Sequence, residues 1–287
     1  MLIVVAGPCG AGKTTWICQE IAQASAPVGY MALGAGTVPI DATHVAAQFP
    51  QVKIFQDQSG AELLQRLAAG LPVYLELGSQ LETDIPFLEA LPHRRVAVVA
   101  GDNPDGSWQT WAKGADEVIQ GNPSADRPSA QLWRAPLSGQ VFDPPSLDTF
   151  WQELTQGAYG EVHRAKGIFE LADGHAFHFD FANGLPESAY TELNLPPWLQ
   201  GRPQRFSGIE VVGQSLDEGA IAATIKASYL SDTLLASHHA TLQASKSLEV
   251  ARISPSYPAS TAIWRPWKPS SKISTSSPLT RSTAWGT

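Results

Sequence analysis

The sequence predicts an α/β chain: a parallel sheet with helices on both faces, followed by a smaller α+β domain. Three observations carry this prediction. Over roughly the first 140 residues, short apolar runs rich in β-branched residues alternate with helical stretches, the pattern of a parallel sheet covered on both sides. Near residue 157 the pattern changes to longer alternating runs joined by a tight turn, which reads as antiparallel structure. The 287 residues are 43% hydrophobic and 16% charged, which supports a sizeable core and excludes a wholly disordered chain.

The elements follow in order. Residues 2–6 (LIVVA) are a buried strand. A glycine-rich turn leads to a helix from about Lys13, with Ile17, Ile21 and Ala24 on one face and Pro27 beyond its end. Val28–Leu33 and Val52–Phe55 are strands, and Ala61–Ala69 is a helix closed by Gly70. Val73–Leu77 and Arg95–Ala100 are again short buried strands, and Asp116–Ile119 and Leu132–Ala135 are candidates to complete the sheet. Gln140–Asp148 reads as a linker into a further helix. Val162–Leu171 and His175–Phe181 flank Asp173-Gly174, a strong hairpin turn. Phe177, Phe179 and Phe181 alternate with His178 and Asp180, which predicts a half-buried strand. Arg205–Gly213 is a further strand and Asp217–Ala227 a helix. From about Ser254 the chain is rich in Ser, Thr and Pro, carries no acidic residue, and reads as disordered, its Trp264, Trp267 and Trp285 leaving a short docking motif open.

Composition excludes several function classes. Asp plus Glu total 27 against 19 Lys plus Arg, a net charge of −8, which disfavours broad nucleic-acid binding. Two cysteines, Cys9 and Cys18, exclude a disulfide scaffold and any four-cysteine zinc site. No apolar run approaches the roughly 20 residues of a membrane span, and no basic region precedes Leu2–Ala6 as in a signal peptide. The expectation is a soluble, cytoplasmic protein with no membrane partner.

The sharpest motif is Gly7-Pro-Cys-Gly-Ala-Gly-Lys-Thr14, a full G-x-x-x-x-G-K-[ST]. It follows a predicted strand and opens a predicted helix, the context that a phosphate-binding loop requires. Glycines let the backbone N–H groups turn inward around phosphates, and the helix adds the positive end of its dipole. Gly7, Gly10, Ala11, Gly12, Lys13, Thr14 and Thr15 are therefore the candidate nucleotide contacts. Lys13 is placed to reach the β- and γ-phosphates, and the Thr14 hydroxyl to ligate Mg²⁺. The first domain is thus expected to be a P-loop NTPase sheet. Glu76, at the end of VYLE, is a candidate for a catalytic role in positioning water, with a solvated strand-end glutamate as the alternative. Asp41 is a candidate Mg²⁺ ligand, direct or through water, with a helix N-cap before THVAAQF as the alternative.

The phosphate loop, VPIDA at 38–42, VYLELG at 73–78, VHRAKGI at 162–168 and RFSGIEVVGQSLDEGAI at 205–221 together resemble the CobW-type GTPases, proposed metallochaperones. The resemblance covers roughly residues 1–235. It implies a nucleotide-binding domain over 1–145 and a C-terminal α+β domain over 157–235, with the Ser/Thr/Pro-rich tail at 254–287 set apart by its composition. It further implies GTP (with ATP admissible) and Mg²⁺ as ligands, delivery of zinc or cobalt, and a client metalloprotein as partner. Asp41 would belong to a switch region, Glu76 to the Walker B region and Asn122 to base recognition.

Three departures qualify the resemblance. The family's Cys-x-Cys-Cys site falls on Phe55–Gly60, where no cysteine stands and Asp57 offers a single hard oxygen. The Asn-Lys-x-Asp stretch reads Asn122-Pro-Ser-Ala125, with Asp126 one residue late, so discrimination against adenine is expected to fall. Gly78 follows Glu76 more closely than the family's Glu-x-x-Gly allows. The remaining candidates supply no metal site: the cysteines read as packing residues, His175 and His178 point to opposite strand faces, and His238-His239 reads as a solvated pair. The leading functional expectation is slow Mg–GTP hydrolysis; the rival is a degenerate nucleotide-binding or scaffold module. A small-molecule kinase, with Arg94-Arg95 as its only nearby arginine pair, is a third reading.

Overall fold

The structure is a computed structural model that describes residues 1–78, 88, 91–100, 111–122, 130–185 and 188–253, with side chains described through Ser245. The first sheet has the order β3-β2-β4-β1-β5-β6. Its strands are β1 (Leu2–Ala6), β2 (Gly29–Leu33), β3 (Lys53–Phe55), β4 (Val73–Leu77), β5 (His93–Val99) and β6 (Glu117–Gln120). All its pairings are parallel. Helices α1 (Lys13–Gln23), α2 (Ile40–Gln48) and α3 (Gly60–Ala68) alternate with the first strands. Runs buried along their whole length build the central strands β1 and β4 because both faces are covered: in β1, Leu2, Val4 and Ala6 pack into one core, Ile3 and Val5 into the other. On α1 the predicted apolar face holds at Ile17 and Ile21, while Ala24 is the C-cap rather than part of the helix.

The second sheet has the order β11-β10-β9-β12-β7, with the short β8 (Val141–Phe142) pairing parallel to β9 (Glu161–Leu171). The remaining strands are β7 (Gln131–Pro136), β10 (Ala176–Ala182), β11 (Ala189–Glu192) and β12 (Gly208–Gln214). The hairpin predicted at Asp173-Gly174 forms, joining β9 to β10 with Ala176 opposite Glu170. β7, expected in the parallel sheet, instead pairs antiparallel with β12. The segment expected as a linker contributes β8 and the start of α4 (Pro144–Thr155), whose N-cap Asp143 accepts from the Ser146 amide at 3.2 Å. One face of this sheet is covered by α4 and α5 (Glu218–Ala227). There Trp151 meets Phe169 and Phe179 edge-on, with ring centroids 5.9 and 5.2 Å apart. A last helix, α6 (Asp232–Ile253), was not anticipated from the sequence. It buries His239 while His238 stays exposed, so the expected solvated pair holds for one member. The tail at 254–287 lies outside the described residues, and no helix among the described residues is long and apolar enough to cross a membrane.

The other face of the second sheet turns toward the first domain. Val38, Ile40 and Ala47, from α2 and the loop before it, pack with Ile168, Ala176 and Leu193 of the second sheet region. This apolar seam sets β9 and β10 over the loop that follows β1.

Candidate functional site

β4 and β5 flank β1, while the chain passes from β1 to β2 beyond β4. The strand order therefore reverses beside β1, and the crevice at the carboxyl end of such a strand is where open α/β sheets take ligands. The loop leaving β1 is tight. A Cβ at Gly7 would stand 2.1 Å from the Val98 carbonyl oxygen, so no other residue fits there. Gly12 caps α1 with φ 97°, a left-handed conformation that L side chains rarely adopt. Lys13, only 7% exposed, curls back so that its Nζ donates to the carbonyl oxygens of Gly7 (2.9 Å) and Pro8 (3.0 Å).

At the next residue, the Thr14 hydroxyl donates to the Glu76 carboxylate, 2.9 and 3.0 Å from its two oxygens. The Tyr30 hydroxyl donates to the same carboxylate at 2.7 Å. Glu76 is 5% exposed, which removes the solvated strand-end alternative. Burial, and then the charge of Asp41, push its carboxyl above the ordinary range, against Lys13 and Lys166. Asp41 lies inside α2, after the N-cap Pro39, so it is not the cap. Its two carboxylate oxygens each accept from Lys166 Nζ at 2.7 Å. Burial alone would raise the Asp41 carboxyl, but the charge and hydrogen bond of Lys166, helped by His178 and Arg164, hold it at about 2.

The second sheet supplies the facing wall. Alternation along β9 sends Ala165 and Phe169 into the helix-covered core and leaves Arg164 and Lys166 on the opposite face. Along β10 the alternation sends Phe179 into that core and leaves His178 and Asp180 beside the loop. A Cβ at Gly10 would lie 3.4 Å from the Ala182 methyl and 3.8 Å from Arg164 Cδ. The Arg164 guanidinium pairs with Asp180 and donates to the Phe181 carbonyl. His178 faces His44 of α2, ring centroids 4.4 Å apart, and burial beside that second imidazole lowers its pKa to about 3.

Gly10, Gly12, Lys13, Thr14, Thr15, Asp41, Glu76 and Asn122 all line one cleft of about 550 Å³ together with these second-sheet residues. That volume falls in the range of small-molecule sites. Gly7 and Ala11 lie behind it: the Ala11 amide turns to the Pro8 carbonyl at 3.3 Å, and its own carbonyl accepts from the Asn122 amide at 3.0 Å. Pro123, Ala125 and Asp126 lie outside the described residues. The sequence reading missed Tyr30, His44, Arg164, Lys166 and Asp180 as site residues, and treated His178 only as a failed chelator. The signal available lay in the polar positions of the runs HRAK and FHFD, of which only the second reads as a half-buried strand from its alternation.

The donor chemistry suits a hard cation: the hydroxyl of Thr14 and the carboxylates of Glu76 and Asp41 are the oxygen ligands that Mg²⁺ prefers. None of these three is a soft ligand. Among the described residues no group of three His, Cys, Asp or Glu is arranged to hold a metal. Burial, with Glu76 and Asp41 nearby, pushes the Cys18 thiol up to about 12, so it is no thiolate at neutral pH. Asp57 accepts from the amides of Gly34 and Gly36, both at 3.0 Å, and braces the loop after β2. The Gly78 amide donates to the Leu33 carbonyl at 3.3 Å.

Residues 137–228 match the family model described as the cobalamin synthesis protein cobW C-terminal domain. No protein of curated function matches the chain. Among solved structures, a zinc-bound triple mutant of YjiA GTPase is 14% identical and zinc-bound YjiA GTPase from E. coli 12% identical. Each comparison covers 79% of this chain and 98% of the other, with a TM-score of 0.31. Similarity that low leaves the site to be argued from its own residues.

Proposed function

We propose that this chain, which carries a cobW-type C-terminal domain behind a phosphate loop, binds Mg²⁺–GTP in the cleft between its two sheets and hydrolyses it slowly. The observation that carries this reading is the joining of Thr14 and Glu76, 62 residues apart in sequence, by hydrogen bonds of 2.9 and 3.0 Å at the end of the loop. A carboxylate buried against the loop hydroxyl has a clear use if the two share a cation. Thr14, with Glu76 and Asp41 directly or through water, would hold Mg²⁺, which when bound neutralises charge on the β- and γ-phosphates.

The chain's own residues do the rest. Lys13 exchanges the carbonyls of Gly7 and Pro8 for phosphate oxygens, keeping its charge satisfied in both states. The loop amides and the α1 terminus supply fixed dipoles, which is most of what phosphoryl transfer asks of a protein. Water attacks the γ-phosphorus as the bond to the β–γ bridging oxygen breaks, giving the diphosphate and inorganic phosphate. Tyr30 fixes the Glu76 carboxylate through Oε2, an oxygen that Thr14 also bonds. Guanine preference is the family's expectation; the loss of Lys and Asp after Asn122 predicts that ATP competes. Zinc or cobalt delivery to a client metalloprotein is the family's activity, and the described residues supply no soft-metal site for it.

The test is Glu76→Gln, which keeps an acceptor for Thr14 and Tyr30 but removes the charge. Nucleotide affinity in Mg²⁺ is expected to fall at least about tenfold, and phosphate release with it, while affinity in chelator changes little. An unchanged response to Mg²⁺ would remove Glu76 from the metal corner. Nucleotide binding without phosphate release in the wild type would favour the binding-module reading.

A further inference from the structure

We propose that Arg164 completes the phosphate site from the second sheet, contacting the γ-phosphoryl oxygens of the bound triphosphate. The inference rests on the triphosphate reading above and deepens it. Arg164 is 7% exposed and stands on the β9 face turned to the loop, its Cδ 3.8 Å from where a Cβ of Gly10 would lie. It lines the same cleft as Lys13 and Thr14. Its contacts are lopsided. The bonds to Asp180, the Phe181 carbonyl and the Ala165 carbonyl all run through Nη1, whereas Nε is buried with no hydrogen-bond partner.

Burying a guanidinium is costly, and leaving one of its N–H groups unmade adds to the cost. An anion in the cleft removes that cost, and the planar fork of donors fits phosphoryl oxygens better than any other side chain. The neighbouring cation, Lys166, is engaged by both oxygens of Asp41. Asp180 keeps 35% of its side chain exposed, so it can let the guanidinium turn while remaining solvated itself. During hydrolysis negative charge gathers on the bridging and terminal oxygens, and a guanidinium there stabilises it without exchanging a proton. Because β9 belongs to the domain that matches the cobW C-terminal family, that domain would act on the nucleotide directly rather than only docking partners.

The experiment compares the full chain with its Arg164→Ala, Arg164→Lys and Asp180→Asn variants. Three quantities are read: Mg–GDP affinity, single-turnover GTP hydrolysis, and binding of GDP with aluminium fluoride, a mimic of the phosphoryl group in flight. Arg164→Ala is expected to slow hydrolysis at least about a hundredfold and to lose the aluminium fluoride complex. Its GDP affinity should stay within about threefold, which also shows that it folds. Arg164→Lys should recover part of the rate, and Asp180→Asn, which loosens the guanidinium but leaves its charge, should slow hydrolysis less than Arg164→Ala. A purely structural Arg164–Asp180 pair would instead make Asp180→Asn as slow as Arg164→Ala. That result, or an Arg164→Ala rate within threefold of wild type, overturns the proposal and leaves the nucleotide reading standing. Failure of the wild type to bind GDP or GTP overturns both.

Discussion

His178 shows how much a single position owes to its surroundings. On paper it alternates with phenylalanines on a half-buried strand; in the fold it is 7% exposed and faces His44 across the cleft. Burial and the second imidazole keep it neutral, with a pKa of about 3 against the ordinary 6.5. Between those values the unfolded chain binds a proton that the folded chain does not, so stability is lost as pH falls from 6.5 toward 3. Asp41 has the same sign over a lower window: its carboxyl is held at about 2 against 3.8, so its contribution, on the order of 2 kcal/mol, is present above about pH 4 and lost below it. Thermal midpoints measured from pH 7 to 4 should therefore fall, and His178→Asn should fall less steeply than wild type. Parallel slopes would show that the imidazole titrates normally. The phosphate loop was legible at this scale because its chemistry is contiguous in sequence. Arg164, Lys166 and Asp180 were not, because nothing local says which side of a strand another domain will cover.

Among the elements, those with a strong local pattern were legible from sequence. β1, β4 and the Val96–Val99 half of β5 are runs covered on both faces, and the β9–β10 hairpin follows from Asp173-Gly174 with alternating flanks. β7 was misplaced because a six-residue strand carries no record of its partner; only its register with β12, Trp133 opposite Val211, assigns it to the second sheet. The long α6 has a weak apolar face and left little periodic signal. The loop after β2 illustrates an element held by side chains from elsewhere in the chain. Asp57 takes both the Gly34 and Gly36 amides, and Arg134 reaches the Gly34 carbonyl at 2.8 Å from β7. Asp57→Ala is expected to speed hydrogen exchange at Gly34 and Gly36 at least about tenfold, leaving the β1 amides protected. Unchanged exchange there would mean the loop is held by other contacts.

At the scale of the whole molecule, the apolar seam of Val38, Ile40 and Ala47 against Ile168, Ala176 and Leu193 makes the site possible, since it brings β9 and β10 over the loop. The sequence reading separated two domains but held no information on how they meet, because each seam residue reads as ordinary core of its own element. Ile168 is fully buried in that seam, so Ile168→Ala should cost about 2–5 kcal/mol. The loss should appear as one cooperative urea transition displaced to lower concentration. Two separate transitions in the wild type would show that the domains are not coupled.

The central claim is that a nucleoside triphosphate sits on the loop around Lys13, beneath the second sheet. Calorimetric titration of GTP and ATP, with Mg²⁺, into the wild-type protein and Lys13→Ala tests it most directly. The account predicts micromolar binding of GTP, competition by ATP, and loss of most affinity for both in the variant, since Lys13 lines the cleft and on the proposed reading meets the phosphates. Binding that survives in Lys13→Ala, or no binding by the wild type, would contradict it.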